Sequence, residues 1–88
     1  MRLLLDIVNE KGLHARASAK FVETVERFDA RATVRRDGME VSGDSIMGLL
    51  MLGAGRGTSI EVDVEGVEAE PLAAALRALV EGRFGEPT

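Results

Sequence analysis

Cysteine, tryptophan and tyrosine are all absent from this 88-residue chain, and histidine occurs once, at position 14. Without thiols there is no disulfide framework, no thiolate zinc site and no thiol redox chemistry. A lone imidazole cannot hold a metal unaided, so neither a metal nor another cofactor is expected. Aromatic residues are limited to Phe21, Phe28 and Phe84, and 15 acidic residues against 11 basic ones give a net charge of −4. A nucleic-acid surface rests on Lys and Arg against phosphate and on rings against bases, and this chain offers neither in excess. Long apolar runs are also missing. The run in the opening "MRLLLDIVNE" stops at Asp6, too short for a signal-peptide core or a membrane span. These absences leave a small acidic protein, expected in the cytoplasm as a monomer, with no membrane or nucleic-acid partner.

What is present alternates between strand and helix patterns. Residues 2–9 are rich in strand formers with Leu3, Leu5 and Ile7 on one face, and Lys11-Gly12 breaks the run. From Ala15, Phe21, Val22, Val25 and Phe28 recur at helical spacing, with Arg16, Lys20, Glu23 and Arg27 on the other stripe. Asp37-Gly38 lies between two alternating runs over residues 30–43 and supplies the positive φ angles of a tight hairpin. Residues 44–53 open with a capping serine and close on a glycine, which predicts a short second helix. Residues 58–66 alternate Ile60, Val62 and Val64 inward with an acidic row outward, read as a solvated face. Pro71 is expected to start a third helix with Leu72, Ala75, Leu76, Leu79 and Val80 inward. The order βαββαβα predicts an α+β fold: one domain over 1–88, an antiparallel sheet, and helices on one face of it. The glycine-rich "GAGRGT" (53–58) follows a helix and leads into a strand, the reverse of a dinucleotide-binding turn, and reads as a plain turn.

The chemistry concentrates in "NEKGLHARASAKF" (9–21). If the helix starts at Ala15, His14 sits at its N-cap, where the first amides lack intrahelical acceptors and the helix dipole favours negative charge. A ring nitrogen that keeps its lone pair there is a nucleophile beside an anion site. A phosphoryl group on it would meet the backbone amides of Ala15, Arg16 and Ala17, with the Arg16 side chain one step away and Lys20 a turn beyond. The spacing alone leaves a second reading open, in which His14 only caps the helix or binds an adventitious anion.

"GLHARAS" (12–18) followed by "DSIMGLLMLGAGRGT" (44–58) resembles the histidine-containing phosphocarrier (HPr) family of the bacterial sugar phosphotransferase system, with both motifs at the family's separation. The resemblance covers nearly the whole chain. It implies an open-faced β-sandwich, with a four-stranded antiparallel sheet in the order 1-4-2-3 and three helices on one face. It also implies a carrier without turnover of its own. His14 would accept a phosphoryl group from phospho-enzyme I, through the ring nitrogen nearest its backbone, and pass it to the IIA domains of sugar permeases. Arg16 matches the motif arginine. Ala17 departs from the motif, which usually has proline there to fix φ in the first helical turn. In Gram-positive members the serine matching Ser45 is phosphorylated by an HPr kinase/phosphorylase, and the product binds a catabolite-control regulator. Ser45 reads equally well as a simple N-cap, and Asp44 beside it would repel a phosphate. The second helix is apolar all round. Leu49 and Leu52 are expected in the core, while Ile46, Met47, Leu50 and Met51, with Lys20, are expected to dock enzyme I and IIA domains. Two rival readings stand beside the carrier: a regulatory interaction protein acting through Ser45 or docking, and an unrelated α+β ligand-binding domain with a chance helix-end histidine.

Overall fold

The computed structural model describes all 88 residues. Four strands, β1 (Arg2–Asp6), β2 (Arg31–Arg36), β3 (Met39–Ser42) and β4 (Ser59–Glu65), form one sheet. Three helices, α1 (Ala15–Glu26), α2 (Ile46–Met51) and α3 (Ala69–Glu81), alternate with them, and a 3₁₀ turn, Arg83–Gly85, follows α3. The sheet runs β1-β4-β2-β3 and every pairing is antiparallel. This is the expected α+β architecture and strand order.

The period-2 pattern of the strands builds the core. Leu5 stands opposite Ile60, Leu3 opposite Val62, and Val62 in turn opposite Val34, all buried on the face the helices cover. From above, Phe21, Val22 and Val25 of α1, Leu49 of α2 and Leu72, Leu76 and Val80 of α3 fill the layer between. Burying each such side chain is worth about 1.5–3 kcal/mol, so the inward stripe of each helix ties it to the sheet. No helix is long and apolar enough to cross a membrane.

Several boundaries differ from expectation. β1 ends at Asp6 and not at Asn9, because Ile7 leaves the ladder: its N–H donates to the Thr58 carbonyl (2.8 Å), and its own carbonyl accepts from Gly57 (2.9 Å). α2 is confined to 46–51, since the Ser45 hydroxyl caps it at one end and Gly53, at φ +61°, ends it at the other. α3 begins two residues before Pro71, which is its third residue. A proline costs no hydrogen bond there, because the first amides of a helix have no intrahelical acceptor; the first bonded amide, that of Leu72, reaches Glu68 (3.1 Å). The hairpin turn is as expected, with Asp37 at φ +49° and Gly38 at +79°.

The open face of the sheet is not a bare acidic row. Arg35 of β2 pairs with Asp63 and with Glu40 (2.7 Å), Arg2 of β1 pairs with Asp63 (3.2 Å), and Arg31 pairs with Glu65 (3.3 Å). The hydrogen bond from Arg35, then that from Arg2, holds the Asp63 carboxyl below the usual carboxylate range. Exposed pairs of this kind contribute little each. Their effect is to relieve the repulsion that three carboxylates on one strand would otherwise build up.

Candidate functional site

The site begins with a glycine that cannot be anything else. Gly12 lies at φ +67°, and a Cβ on it would stand 2.7 Å from the Ala54 carbonyl oxygen and 2.8 Å from the Gly55 Cα. The chain therefore lies directly on the 53–58 loop, and the Leu13 amide donates to the Ala54 carbonyl (2.9 Å). "GAGRGT" is a turn, as read, but also the bed on which the histidine segment rests. With Leu13 buried as an anchor, His14 leaves this contact in extended geometry (φ −76°, ψ −177°) and becomes the N-cap of α1. Its carbonyl accepts the first intrahelical bond, from the Ser18 amide (2.8 Å), and the Ser18 hydroxyl donates to the Leu13 carbonyl (3.3 Å).

The two ring nitrogens have different partners. Nδ1, the nitrogen nearest the backbone, accepts from the Arg16 amide at 3.2 Å. Nε2 bonds the carboxylate of Glu86, 72 positions along the chain. A carboxylate only accepts and an amide N–H only donates, so this network assigns the ring proton to Nε2 and the lone pair to Nδ1. The amides of Ala15 and Ala17 have no acceptor within the chain. Nδ1, with an available lone pair, thus faces the Arg16 N–H at the positive end of a twelve-residue helix whose first amides are unpaired.

Glu86 was not anticipated as a site residue, and neither was Asn9. Past Gly82 the chain takes two left-handed residues, Arg83 (φ +60°) and Phe84 (φ +55°), and then Gly85 (φ +78°), which folds it back over the start of α1. The Phe84 ring is fully buried, and the Phe84 carbonyl accepts from the Lys20 ammonium (2.6 Å). Asn9, fully buried, donates from Nδ2 to the Gly12 carbonyl (2.8 Å) and to Glu86 Oε1 (3.0 Å). The Asn9 amide first, and the His14 ring second, hold the Glu86 carboxyl below the ordinary glutamate range against the opposing effect of burial. No local pattern signals this fold-back: Gly82, which ends α3, lies at φ −82° and not in the left-handed region of a glycine cap.

The other expected site residues fall in three places. The Arg16 guanidinium is exposed and makes no ion pair or hydrogen bond, while Lys20 is engaged within the chain by Phe84. Ser45 caps α2, its hydroxyl accepting from the Gly48 amide at 3.0 Å. Ile46, Met47 and Met51 are exposed on α2, which packs against α1, and Leu50 is half-buried; Leu49 and Leu52 are in the core. No three His, Asp or Glu side chains converge as a metal site would require.

Over most of its length the chain is similar to known proteins. The family model described as "PTS HPr component phosphorylation site" matches residues 4–82. Phosphocarrier protein HPr of Neisseria meningitidis is 44% identical over 82 residues, covering 93% of this chain and 92% of that protein. The crystal structure of HPr-C-His from Thermoanaerobacter tengcongensis superposes with a TM-score of 0.94 at 36% identity, over 100% of this chain and 99% of that one. An HPr dimer from the same organism superposes at 0.78, with 39% identity over 93% and 94% of the two chains.

Proposed function

Because the chain belongs to the HPr family of the phosphotransferase system, we propose that it carries a phosphoryl group on His14 between phospho-enzyme I and the IIA domains of sugar permeases. The observation that carries this reading is the environment of Nδ1, a lone pair held at 3.2 Å from the Arg16 amide at the N-terminus of α1, where the amides before and after it in the chain have no acceptor. In the transfer, the Nδ1 lone pair attacks the phosphorus of the donor's phosphohistidine. The donor P–N bond breaks as the new one forms, its electron pair stays on the donor imidazole, and the proton on Nε2 of His14 does not move. The Arg16 amide, released from Nδ1, turns to the incoming oxygens together with its neighbours, and the free Arg16 guanidinium supplies a full positive charge. Preorganised donors aimed at developing charge are the main resource of phosphoryl transfer, where there is little covalent chemistry for the protein to perform.

The exposed side chains of Ile46, Met47 and Met51, with Leu50 at their edge, offer partners an adaptable apolar surface on the helix beside α1. A monomer is the working form in this reading, although one solved relative is an HPr dimer. A regulatory role through Ser45, with an HPr kinase/phosphorylase and a catabolite-control regulator, has less behind it. Phosphorylation there would take the hydroxyl that caps α2 and set a dianion beside Asp44. Incubation with enzyme I and phosphoenolpyruvate should add one acid-labile, base-stable phosphate, read by intact mass, and His14→Ala should abolish it. Labelling that survives in His14→Ala would refute the assignment.

A further inference from the structure

Nε2 of His14 takes no part in the bond that forms, yet the chain spends a buried amide, a fully buried ring and a left-handed turn on supplying it with a partner. Asn9 lies between the loop that precedes His14 and the strap that follows α3, and its two Nδ2 protons are divided between the Gly12 carbonyl and Glu86 Oε1. Its Oδ1 is buried with no donor in the chain. Leaving such an acceptor unpaired is costly, but turning the amide over would point Oδ1 at two other acceptors, so its orientation is dictated by what the nitrogen holds. The second carboxylate oxygen of Glu86 is thereby left facing Nε2. The strap is fixed in turn by Phe84 in the core and by Lys20 on the Phe84 carbonyl.

From this we infer that Asn9 and Glu86 form a positioning pair for the phosphoryl acceptor: Asn9 orients the Glu86 carboxylate, and Glu86 holds the Nε2–H of His14. The inference rests on the phosphocarrier reading for its consequence, though not for its geometry. A ring tethered at one nitrogen by the Arg16 amide alone can still swing about that contact. The Nε2 tether stays when the Arg16 amide leaves Nδ1, and it keeps the freed lone pair pointing in one direction, as in-line attack demands. The carboxylate has a second effect. Once Nδ1 is phosphorylated and Nε2 keeps its proton, the ring is cationic, and Glu86 stands where that charge develops. The pair thus acts on histidine as an outer carboxylate acts on a metal-bound histidine, fixing the tautomer and the plane of the ring.

The test reads the ring proton directly. In 15N-labelled protein, kept cold at mildly alkaline pH without any partner, the wild type should show an exchange-protected Nε2–H resonance shifted downfield by the carboxylate. Glu86→Ala should lose it to solvent exchange. Glu86→Gln, whose amide oxygen still accepts, should retain it at a less downfield position, and Asn9→Ala should broaden it. Single-turnover phosphorylation by phospho-enzyme I should slow by roughly tenfold or more in Glu86→Ala, the scale on which loss of an orienting partner is felt, with Glu86→Gln recovering part of the rate. A Glu86→Ala protein with the wild-type ring-proton signal and a rate within about twofold of wild type overturns the inference. If the wild type takes up no phosphate, the carrier reading fails instead, and the ring-proton comparison still judges the pair.

Discussion

Replacing Leu49 or Met47 by aspartate separates the core face of α2 from its outer face. Leu49 is 0% exposed and Met47 is 69% exposed, two positions apart on the same short helix. Leu49→Asp forfeits about 2–3 kcal/mol of leucine burial and adds a carboxylate with no partner, which costs several kcal/mol more whether it stays charged or is protonated. A domain of this size has only about 4–13 kcal/mol of stability, at roughly 0.05–0.15 kcal/mol per residue. Leu49→Asp should therefore be unfolded, or nearly so, at room temperature. Met47→Asp removes about a third of a methionine's burial, on the order of 0.5–1 kcal/mol. It also places a carboxylate at the second residue of α2, where the helix dipole returns a few tenths of a kcal/mol. Its melting temperature should stay within about 5 °C of wild type, since 1 kcal/mol shifts a domain of this length by roughly 4–8 °C. Thermal melts by circular dichroism measure both variants, and titration with enzyme I then shows whether Met47→Asp weakens docking while the fold stands. A Leu49→Asp protein that melts near wild type, or a Met47→Asp protein that collapses, would mean that α2 is rotated from the orientation described. If Met47→Asp folds and binds enzyme I as the wild type does, Met47 is not part of the docking surface.

Gly12→Ala should lower stability by about 2 kcal/mol or more, because it combines a left-handed φ with a Cβ driven into the Ala54–Gly55 backbone; the same push displaces His14, so phosphorylation should slow even where the protein is still folded. A Gly12→Ala melt equal to wild type would contradict that contact. Ala17→Pro should fold with stability within about 1 kcal/mol of wild type, because the Ala17 amide has no acceptor in the chain and Pro71 already occupies the same third position in α3; an unfolded product would mean that α1 starts elsewhere. The pH dependence of Glu86 has a definite sign. Its folded-state carboxyl lies below the ordinary value, so its stabilising contribution is complete above about pH 4.3 and is lost as pH falls through the lower folded value. The stability difference between wild type and Glu86→Gln, measured by urea titration, should accordingly shrink below that pH. A difference that stays constant down to strongly acidic pH would show that Glu86 holds no preferred charge state in the fold.

What could be read from the chain, and what could not, divides by sequence separation. The inward rows of β1 and β4, the Asp37-Gly38 turn, the serine cap of α2 and the position of His14 at the start of α1 all rest on residues a few places apart. Steric and capping preferences act there without help from the rest of the fold. Arg16 and the amides of Ala15 and Ala17 are legible for the same reason, since they follow His14 directly. Glu86 and His14 are 72 residues apart, and no period or dipeptide links them. Their meeting depends on Phe84 entering the core and on two left-handed residues beyond α3, neither of which a hydrophobic pattern encodes. Asn9 was hidden differently. At the end of an alternating run it passes for the last residue of a strand, whereas the chain has already left the ladder at Ile7 and its side chain is turned toward Gly12. The short range thus specifies the proposed nucleophile and the amides beside it, and the long range adds the carboxylate that bonds its ring. A motif search can detect the first half alone. In this fold, therefore, a chain that kept "GLHARAS" but lost Phe84 or Glu86 would still match by motif, while the His14 ring would have only the Arg16 amide to orient it.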